Sequence, residues 1–308
     1  MSLCIAVIGL GAWGTTLANL FEQQGHRIQG WSRRRGGDPA AALEGADLAL
    51  VATSMAGVQA LAPQLAPQWP AGLPLVSCSK GIDLEQQCTP SQLWERAGSG
   101  IELLVLSGPN LATELAAGLP AASVLAARNG TLARRLQHAL SSERLRLYTN
   151  NDPVGTEVAG ALKNVMAIAA GVCDGLALGA NAKASLLCRG LVEMGLVIQE
   201  MGGQPSSLYG LAGLGDLLAT ANSSLSRNYR FGLALAEGCS RSEALVRVGA
   251  TVEGASTADA ALALARQRGW HLPICQHVAE LMQGHLEPHQ VVRRLMERDL
   301  KQEQLSLE

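Results

Sequence analysis

The 308-residue sequence predicts an α/β N-terminal half built on a mostly parallel sheet, followed by an all-α C-terminal half. Two observations predict this. Up to about residue 150, short apolar runs alternate with segments of helical length, as in βαβ units. Beyond that point apolar residues recur at spacings of three and four, the periodicity of helices. We therefore expect a dinucleotide-binding domain over 1–150 and a helical substrate or catalytic domain over 151–308.

Seven apolar runs are the predicted strands: Leu3–Ile8, Arg27–Trp31, Asp47–Ala52, Leu73–Ser77, Glu102–Leu106, Ala121–Ala126 and Arg144–Thr149. The helices expected between them include Ala12–Gln24 and Gly57–Leu65. In the second half, Asn151-Asp152-Pro153 is a helix-start signal, because a capping side chain precedes a proline in the first turn. Further helices are predicted over Ala184–Met201, Tyr229–Glu237, Thr257–Arg268, Ile274–Met282 and Pro288–Arg298.

Composition limits the classes of function. Apolar residues are 48% of the chain, charged residues 16%, and the net charge is −2. Arg33-Arg34-Arg35 is the densest basic run, so no nucleic-acid partner is expected. The seven cysteines include no C-x-x-C pair, which favours reduced thiols in the cytoplasm over a disulfide or zinc framework. The apolar stretch Val158–Cys173 is shorter than the roughly 20 residues of a membrane span, so we expect a buried core helix.

The first predicted strand leads directly into Gly9-Leu10-Gly11-Ala12-Trp13-Gly14, a G-x-G-x-x-G turn that opens a helix. The first glycine permits the tight turn, the second lets the backbone approach a pyrophosphate, and the third lets helix and strand pack closely. At the start of an alternating α/β domain this turn predicts a Rossmann-type site for NAD(H) or NADP(H). A purely structural turn, or a flavin or other nucleotide in the same crevice, is the alternative.

The second strand ends in Trp31-Ser32-Arg33-Arg34-Arg35, where an NAD-binding domain normally carries an acid for the ribose hydroxyl. Arginine at this place can pair with a 2′-phosphate. We therefore predict that NADPH is accepted and preferred, while the choice among Arg33, Arg34 and Arg35 stays open. The alternative is that these are solvated loop charges.

Lys163 is the only charged residue between Val158 and Cys173, and Asn164 follows it. A buried ammonium needs a partner or a task, and here it could donate a proton to a carbonyl oxygen that the amide orients. A lysine that snorkels to the core rim is the alternative. Asp216, in the glycine-rich stretch Gly210–Leu217, is the candidate partner that keeps Lys163 protonated, and it could also cap the following helix.

Ser226-Arg227-Asn228 places a cation and hydrogen-bonding groups in one segment, which suits a phosphate oxyanion. A solvated loop is the alternative interpretation of this segment.

Together these motifs resemble the family of bacterial-type NAD(P)-dependent glycerol-3-phosphate dehydrogenases along nearly the whole chain. The matching segments are Gly9–Thr15, Ser79-Lys80-Gly81-Ile82, Ser107-Gly108-Pro109-Asn110, Leu162-Lys163-Asn164, Gly213–Leu217, Ser226-Arg227-Asn228, Val252-Glu253-Gly254 and Leu295-Met296-Glu297-Arg298. The resemblance implies reversible reduction of dihydroxyacetone phosphate to sn-glycerol 3-phosphate, which supplies glycerophospholipid synthesis in lipid metabolism.

The resemblance also implies roles. Lys163 is then the proton donor and acceptor, with Asn164 and Asp216 beside it in the catalytic set. The implied cofactor contacts are Gly9, Gly11, Trp13, Gly14, Arg33, Arg34, Lys80, Ala112, Arg227 and Glu253. The implied substrate contacts are Lys80, Gly108, Asn110, Lys163, Asp216, Ser226, Arg227 and Asn228. No metal ligand is expected, and the apolar helices of the second half would suit a homodimer.

Two departures from the family pattern stand out. Segment 32–46 is shorter than usual and carries Gly36-Gly37-Asp38-Pro39, which should simplify the adenosine side of the cofactor site. Asn110 stands where serine or threonine is common.

Two other functions compete with this interpretation. One is a β-hydroxyacid dehydrogenase of the 6-phosphogluconate type, which also uses a lysine; Lys80, Asp216 and Arg227-Asn228 disfavour it. The other is a non-catalytic NADPH-binding sensor, which the retention of Lys163, Asn164 and Asp216 disfavours.

Overall fold

The computed structural model describes residues 2–98 and 100–297. Its first half is a sheet of seven strands in the order β2-β1-β3-β4-β5-β6-β7. The strands are β1 (Cys4–Ile8), β2 (Arg27–Trp31), β3 (Leu48–Val51), β4 (Leu75–Ser77), β5 (Leu103–Ser107), β6 (Ala121–Ala127) and β7 (Leu145–Asn150). All neighbours pair in parallel except β5 and β6, which are antiparallel. The mostly parallel sheet is thus confirmed, and each predicted strand lies within two residues of its observed bounds.

Helices cover both faces of the sheet, which explains why the central strands β1, β3, β4, β5 and β6 are so apolar, whereas the edge strands β2 and β7 are partly exposed. One face packs against α1 (Ala12–Gln23), α4 (Ala112–Ala116) and α5 (Gly130–Leu140). The other packs against α2 (Met55–Leu65) and α3 (Pro90–Ala97). Because β1, β3, β4 and β5 are parallel, the loops that follow them emerge at one edge of the sheet, where ligands bind in such folds.

The second half is helical, and no strand follows Asn150 within residues 151–297. Its helices are α6 (Pro153–Gly175), α7 (Gly179–Glu200), α8 (Asp216–Ala221), α9 (Arg227–Ala236), α10 (Arg241–Val248), α11 (Glu253–Arg268), α12 (Pro273–Met282) and α13 (Pro288–Met296). A π-helical turn, Leu211–Gly215, precedes α8. The all-α second half is confirmed.

Helix α6 begins where the sequence predicts. The Asp152 carboxylate accepts a hydrogen bond from Gly155 N at 2.9 Å, and Pro153 occupies the first turn, where its missing N–H has no helical partner. The helix is long and apolar enough to cross a membrane, but 89% of its most apolar window is buried inside the protein. It is therefore the predicted core helix.

Helix α9 lies unusually close to α6. A Cβ on Gly232 would overlap the carbonyl oxygen of Ile168, so only glycine allows this approach. The approach brings the start of α9 beside the middle of α6, where Lys163 and Asn164 lie.

Several helices differ from the prediction. Helices α7, α9 and α11 begin two to five residues before the predicted starts, and α10 was not predicted although a capping box between Ser240 and Glu243 starts it. For the predicted helix Pro288–Arg298, the structure gives Pro288–Met296, and Arg298 lies outside the described residues. All seven cysteines are unpaired.

Candidate active site

The Gly9–Gly14 turn joins β1 to α1 at the sheet edge. Gly9 has a φ of +105°, and a Cβ on Gly14 would overlap the Gly9 carbonyl oxygen, so both positions require glycine. A Cβ on Gly11 would meet no atom within 4 Å. Gly11 is also the N-cap of α1 and offers no side-chain cap, which leaves the first N–H groups of the helix available. Open space beside free N–H groups fits the pyrophosphate of a dinucleotide.

The turn Ser32–Gly36, called here the arginine turn because it contains Arg33, Arg34 and Arg35, lies directly after β2. Gly9 N donates to Trp31 O at 2.8 Å, which holds the two loops together, and Trp31 Nε1 donates to Gly37 O at 2.9 Å. Arg33 and Arg34 are exposed between these anchors, and within residues 2–98 and 100–297 no carboxylate pairs with either. Both guanidinium groups are available to a ligand anion.

Other predicted cofactor contacts lie around α1. Trp13 is half-buried in its first turn, packed against the apolar cluster of that sheet face. Thr16 Oγ1 lies 3.4 Å from Ala112 O, which places the start of α4 beside α1. The loop after β5 carries Gly108, with a φ of +149°, and Asn110, whose Oδ1 accepts from Ser123 Oγ at 2.8 Å. That bond uses one of the lone pairs on the Asn110 amide oxygen.

Asp216 holds two lysines from different parts of the chain. Its Oδ1 lies 2.8 Å from Lys163 Nζ on α6, and its Oδ2 lies 2.5 Å from Lys80 Nζ in the loop after β4. Lys163 Nζ also donates to Thr220 Oγ1 at 2.7 Å. Lys163, Asp216 and Thr220 are buried, whereas the Lys80 side chain is 19% exposed. This cluster joins the sheet edge to the helical half.

The groups in this cluster shift the pKa values of Lys163 and Asp216. Burial lowers the pKa of Lys163 to about 8, while the nearby Asp216 carboxylate opposes that effect and Lys80 adds to it. Burial tends to raise the pKa of Asp216, but the two ammonium groups outweigh it and hold that pKa below its usual value. Asp216 is therefore an anion at neutral pH, and Lys163 can hold or release a proton near neutrality.

Asp216 does not cap α8, so the alternative prediction of a capping role for this residue is wrong. It is the first residue of that helix, and Gly215 occupies the N-cap. Both of its carboxylate oxygens are used by the lysines.

Asn164 is oriented by the start of α9. Asn228 Nδ2 donates to Asn164 Oδ1 at 2.8 Å, and Asn228 Oδ1 accepts from Gly254 N at 2.9 Å. Asn228 thus links α6, α9 and α11, and this fixes which way the Asn164 amide points. Among the described residues, the Nδ2 of Asn164 makes one long contact, 3.5 Å, to Gly160 O, so it can donate to a ligand.

The start of α9 carries groups that can donate hydrogen bonds to an anion. Ser226 is its N-cap and accepts from Tyr229 N at 3.2 Å, so the hydroxyl hydrogen remains free to donate. Arg227 follows in the first turn and is exposed. Glu253, half-buried at the start of α11, has a pKa raised by burial, an effect that the positive charges of Lys80, Arg227 and Lys163 reduce. Those three cations therefore surround one region.

The sequence interpretation missed two buried groups, one within the Lys163–Asp216 cluster and one farther along α6. Thr220 lies four residues after Asp216, a spacing that puts both on one face of α8 and could have revealed it. Glu157 lies six residues before Lys163 on α6 and accepts hydrogen bonds from Ser77 and Ser91. No local sequence pattern points to the role of Glu157, because both of its partners are distant in sequence.

Comparisons with known proteins match the chain along nearly its full length. The profile for the N-terminal region of NAD-dependent glycerol-3-phosphate dehydrogenase matches residues 4–37 and 35–133. The profile for the C-terminal region of the same family matches residues 152–293.

Individual relatives agree. A glycerol-3-phosphate dehydrogenase described as NAD(P)+-dependent, from Synechococcus sp. strain RCC307, is 56% identical over 301 residues, 98% of this chain and 99% of its own length. One from Synechococcus sp. strain JA-2-3B'a(2-13) is 49% identical and covers 97% of this chain and 95% of its own. The crystal structure of glycerol-3-phosphate dehydrogenase from Coxiella burnetii has a TM-score of 0.91 at 34% identity, covering 96% of this chain and 99% of its own.

Proposed function

The chain belongs to the family of NAD-dependent glycerol-3-phosphate dehydrogenases, and from that premise we propose how its residues perform the reaction. The enzyme interconverts dihydroxyacetone phosphate and glycerol 3-phosphate with NAD(P)(H) as coenzyme. The observation that carries the proposed site is the buried cluster in which Asp216 holds Lys163 and Lys80.

The cofactor is held at the sheet edge. Gly9, Gly11 and Gly14 shape the turn for the pyrophosphate, with Trp13 and Ala112 lining the same side. Arg33 and Arg34 follow β2, where this fold recognises the ribose, and their exposed guanidinium groups would pair with a 2′-phosphate, which favours NADPH over NADH. Bound NAD(P)H supplies the hydride for ketone reduction. Lys80, Arg227 and Glu253 complete the cofactor contacts towards the helical half.

Lys163 is the general acid and base. In the direction of ketone reduction, Lys163 Nζ gives its proton to the former carbonyl oxygen, and in the reverse direction the neutral amine takes the hydroxyl proton. Asp216 stabilises the ammonium form and fixes Nζ together with Thr220. The Asn164 amide, held by Asn228, orients the same oxygen.

The phosphate of the substrate lies at the start of α9. Backbone N–H groups at a helix N-terminus, the Ser226 hydroxyl and the Arg227 guanidinium converge there, and each stabilises a dianion. Asn228 has one amide hydrogen left beyond its bond to Asn164. Gly108 and Asn110, together with Lys80, close the site from the sheet side.

The decisive experiment is NADPH oxidation by the purified protein with dihydroxyacetone phosphate as substrate. We expect turnover far faster than with β-hydroxyacid semialdehydes, which tests the 6-phosphogluconate-type alternative. Lys163→Met should bind NADPH normally while kcat falls by about 100-fold or more, the usual contribution of a positioned proton donor. Near-normal turnover of Lys163→Met would rule out the proposed proton donor, and NADPH binding without turnover by the wild-type protein would indicate a sensor.

We also propose a cytoplasmic homodimer, with each chain divided near residue 150. Helix α7 has 22 residues, yet only five are buried, and Leu186, Leu191 and Leu196 on it are partly exposed. They line an apolar groove of about 1050 Å³ between α6, α7, α12 and α13, which a second copy would cover. Light scattering measures the molar mass in solution. We expect the wild type to have the mass of a dimer and Leu191→Glu that of a monomer. A monomeric wild type would contradict the proposed homodimer.

A further inference from the structure

Glu157 is a buried carboxylate on α6 that the proposed mechanism does not use. Its Oε1 accepts from Ser77 Oγ at 3.0 Å, at the end of β4, and its Oε2 accepts from Ser91 Oγ at 2.6 Å, in the first turn of α3. Ser91 N also donates to Oε1 at 3.1 Å. The segment 78–89 between these two elements, called here the β4 loop, carries Lys80. One carboxylate therefore binds both ends of the β4 loop to α6.

The middle of the β4 loop is bound to the sheet half instead. Asp83 N donates to Cys88 O at 2.9 Å across the loop, and Gln59 Nε2 on α2 donates to Asp83 Oδ2 at 2.5 Å. Ile82 packs into the apolar core of the helical half, but apolar contact is non-directional. The hydrogen bonds of Glu157 therefore supply the directional contacts between this loop and α6.

The Lys80 side chain crosses α6 between Glu157 and Lys163. A Cβ on Gly160 would lie 3.9 Å from Lys80 Cε, which places the lysine side chain beside that glycine. Gly160 follows Glu157 by three residues and precedes Lys163 by three, and residues three apart are neighbours on a helix surface. Beyond Gly160, Lys80 Nζ reaches Asp216 Oδ2 at 2.5 Å, and the other oxygen of this carboxylate lies 2.8 Å from Lys163 Nζ.

Resting on the proposed function, we infer that Glu157 is a positioning residue: by binding both ends of the β4 loop to α6, it holds Lys80 at the reaction site beside Lys163. Its effect on the proton donor passes through Lys80. Burial and the Lys80 charge lower the pKa of Lys163, whereas Asp216 and Glu253 raise it. If Lys80 moved away, the pKa of Lys163 would rise.

The first test follows kcat for ketone reduction against pH, which should fall near pH 8 as Lys163 loses its proton. In Glu157→Ala both ends of the β4 loop are released and Lys80 moves away, so the fall should shift to higher pH by about 0.5 pH unit or more. In Glu157→Gln the amide oxygen accepts from Ser91 and Nε2 donates to Ser77 Oγ, so the fall should stay where the wild type has it. No shift in Glu157→Ala, or an equal shift in both variants, overturns the inference.

Glu193→Ala is the matched control for a loss of stability. Glu193 is a buried carboxylate on α7 that accepts from Ile274 N at 2.6 Å and from Cys275 N at 3.1 Å at the start of α12, much as Glu157 binds the start of α3. Glu193→Ala should lower Tm while the fall in kcat keeps its wild-type pH. The same pH shift in Glu193→Ala and Glu157→Ala would mean that Glu157 contributes only stability.

A double-mutant cycle with Lys80→Met tests whether Glu157 acts through Lys80. Glu157→Ala alone should raise KM for dihydroxyacetone phosphate about three- to tenfold, as expected when a charged hydrogen-bond donor is displaced. In the Lys80→Met background the same substitution should raise KM less than twofold, because the group that it positions is already gone. Independent, multiplying effects of the two substitutions contradict the inference.

Amide hydrogen exchange follows the β4 loop without turnover. Exchange of residues 78–89 should be about tenfold faster or more in Glu157→Ala, beyond any change in Glu193→Ala, and unchanged in Glu157→Gln. If Glu157→Ala does not fold, Ser91→Ala, which removes the 2.6 Å bond, should speed exchange of the same segment. A loop that exchanges no faster in the folded variant contradicts the inference. If the wild type fails to reduce dihydroxyacetone phosphate, the proposed function fails, whereas the exchange result still decides whether Glu157 holds the loop.

Discussion

Lys163 Nζ lies 2.8 Å from Asp216 Oδ1, and this buried ion pair sets the protonation of the reaction site. Burial lowers the pKa of Lys163 to about 8, and the Asp216 carboxylate prevents a larger fall. The other oxygen of the carboxylate is occupied by Lys80. The pair therefore leaves Lys163 charged at neutral pH but able to exchange its proton.

The kcat for ketone reduction should fall as pH rises through about 8, since the ammonium form of Lys163 donates the proton. This fall is the falling limb of the pH profile. Oxidation of glycerol 3-phosphate needs the neutral amine and should gain activity over the same range. Asp216→Asn removes the charge that raises the pKa of Lys163, so the falling limb for reduction should move to lower pH. The measurement is kcat against pH in both directions.

Asp174→Asn is the control for this experiment. It also removes a carboxylate that pairs with a lysine, Lys183 at 2.6 Å, but this pair lies outside the Lys163 cluster. Its pH profile should match that of the wild type. A limb that stays in place in Asp216→Asn, or moves to higher pH, would contradict the assigned role of the ion pair.

Substitution of Gly14 and of Gly11 in the cofactor turn should affect different properties, the first stability and the second NADPH binding. A Cβ on Gly14 would overlap the Gly9 carbonyl, so Gly14→Ala should lose about 1–3 kcal/mol of unfolding free energy through overpacking. A Cβ on Gly11 meets no protein atom within 4 Å, so Gly11→Ala should stay within about 0.5 kcal/mol of the wild type. That same Cβ would occupy the space for the pyrophosphate, and the NADPH Kd should rise at least about tenfold.

Thermal unfolding and NADPH fluorescence titration measure the two effects separately. Unchanged NADPH affinity in Gly11→Ala would mean that the pyrophosphate does not use this turn.

Local patterns predicted most of the fold. Apolar runs located all seven strands, because the five central strands are buried along most of their length and the edge strand β7 alternates buried and exposed residues. Asp152-Pro153 located the start of α6, because capping is decided within four residues. The antiparallel step from β5 to β6 and the short α10 depend on how distant segments pack. Periodicity within one segment does not contain that information.

The same division holds for the site. Lys163 and Asp216 could be singled out because charges are rare in apolar helices. The pairing of Lys80 with Asp216 joins residues 136 positions apart, and no local pattern predicts it from the sequence alone.

The arginine turn should decide the choice of coenzyme. Arg33 and Arg34 are exposed and have no carboxylate partner among the described residues, so their removal should not disturb the fold. The double variant Arg33→Ala/Arg34→Ala should lose about tenfold or more in kcat/KM for NADPH, as for charge-assisted hydrogen bonds to a phosphate. Its kcat/KM for NADH, which lacks the 2′-phosphate, should change less than twofold.

Arg35→Ala is the matched single substitution, because it removes a neighbouring exposed guanidinium from the same turn. If Arg33 and Arg34 hold the 2′-phosphate, kcat/KM for both coenzymes stays nearly unchanged in Arg35→Ala; a loss confined to NADPH in Arg35→Ala would assign the contact to Arg35. Equal losses for NADPH and NADH in the double variant would show that the turn does not recognise the 2′-phosphate.

Glu157 should make stability depend on pH. It is buried between α6 and α3, where Ser77 Oγ donates to its Oε1 at 3.0 Å and Ser91 Oγ donates to its Oε2 at 2.6 Å. Burial raises the pKa of Glu157 above its usual value, against the effect of these hydrogen bonds. The folded state therefore binds this proton more tightly than the unfolded state. The resulting stabilisation is complete below the unfolded pKa, about 4.3, and is lost as pH rises through the folded value.

Glu157→Gln removes this titration while keeping the shape and one acceptor oxygen. Relative to the wild type it should therefore gain unfolding free energy as the pH is raised from 5 to 8, measured by urea denaturation. Glu157→Ala should instead lose about 2 kcal/mol or more at both pH values, because the Ser91 N–H and both hydroxyl groups lose a buried acceptor. A difference between Glu157→Gln and the wild type that is the same at pH 5 and 8 would mean that this carboxylate keeps its ordinary pKa in the folded protein.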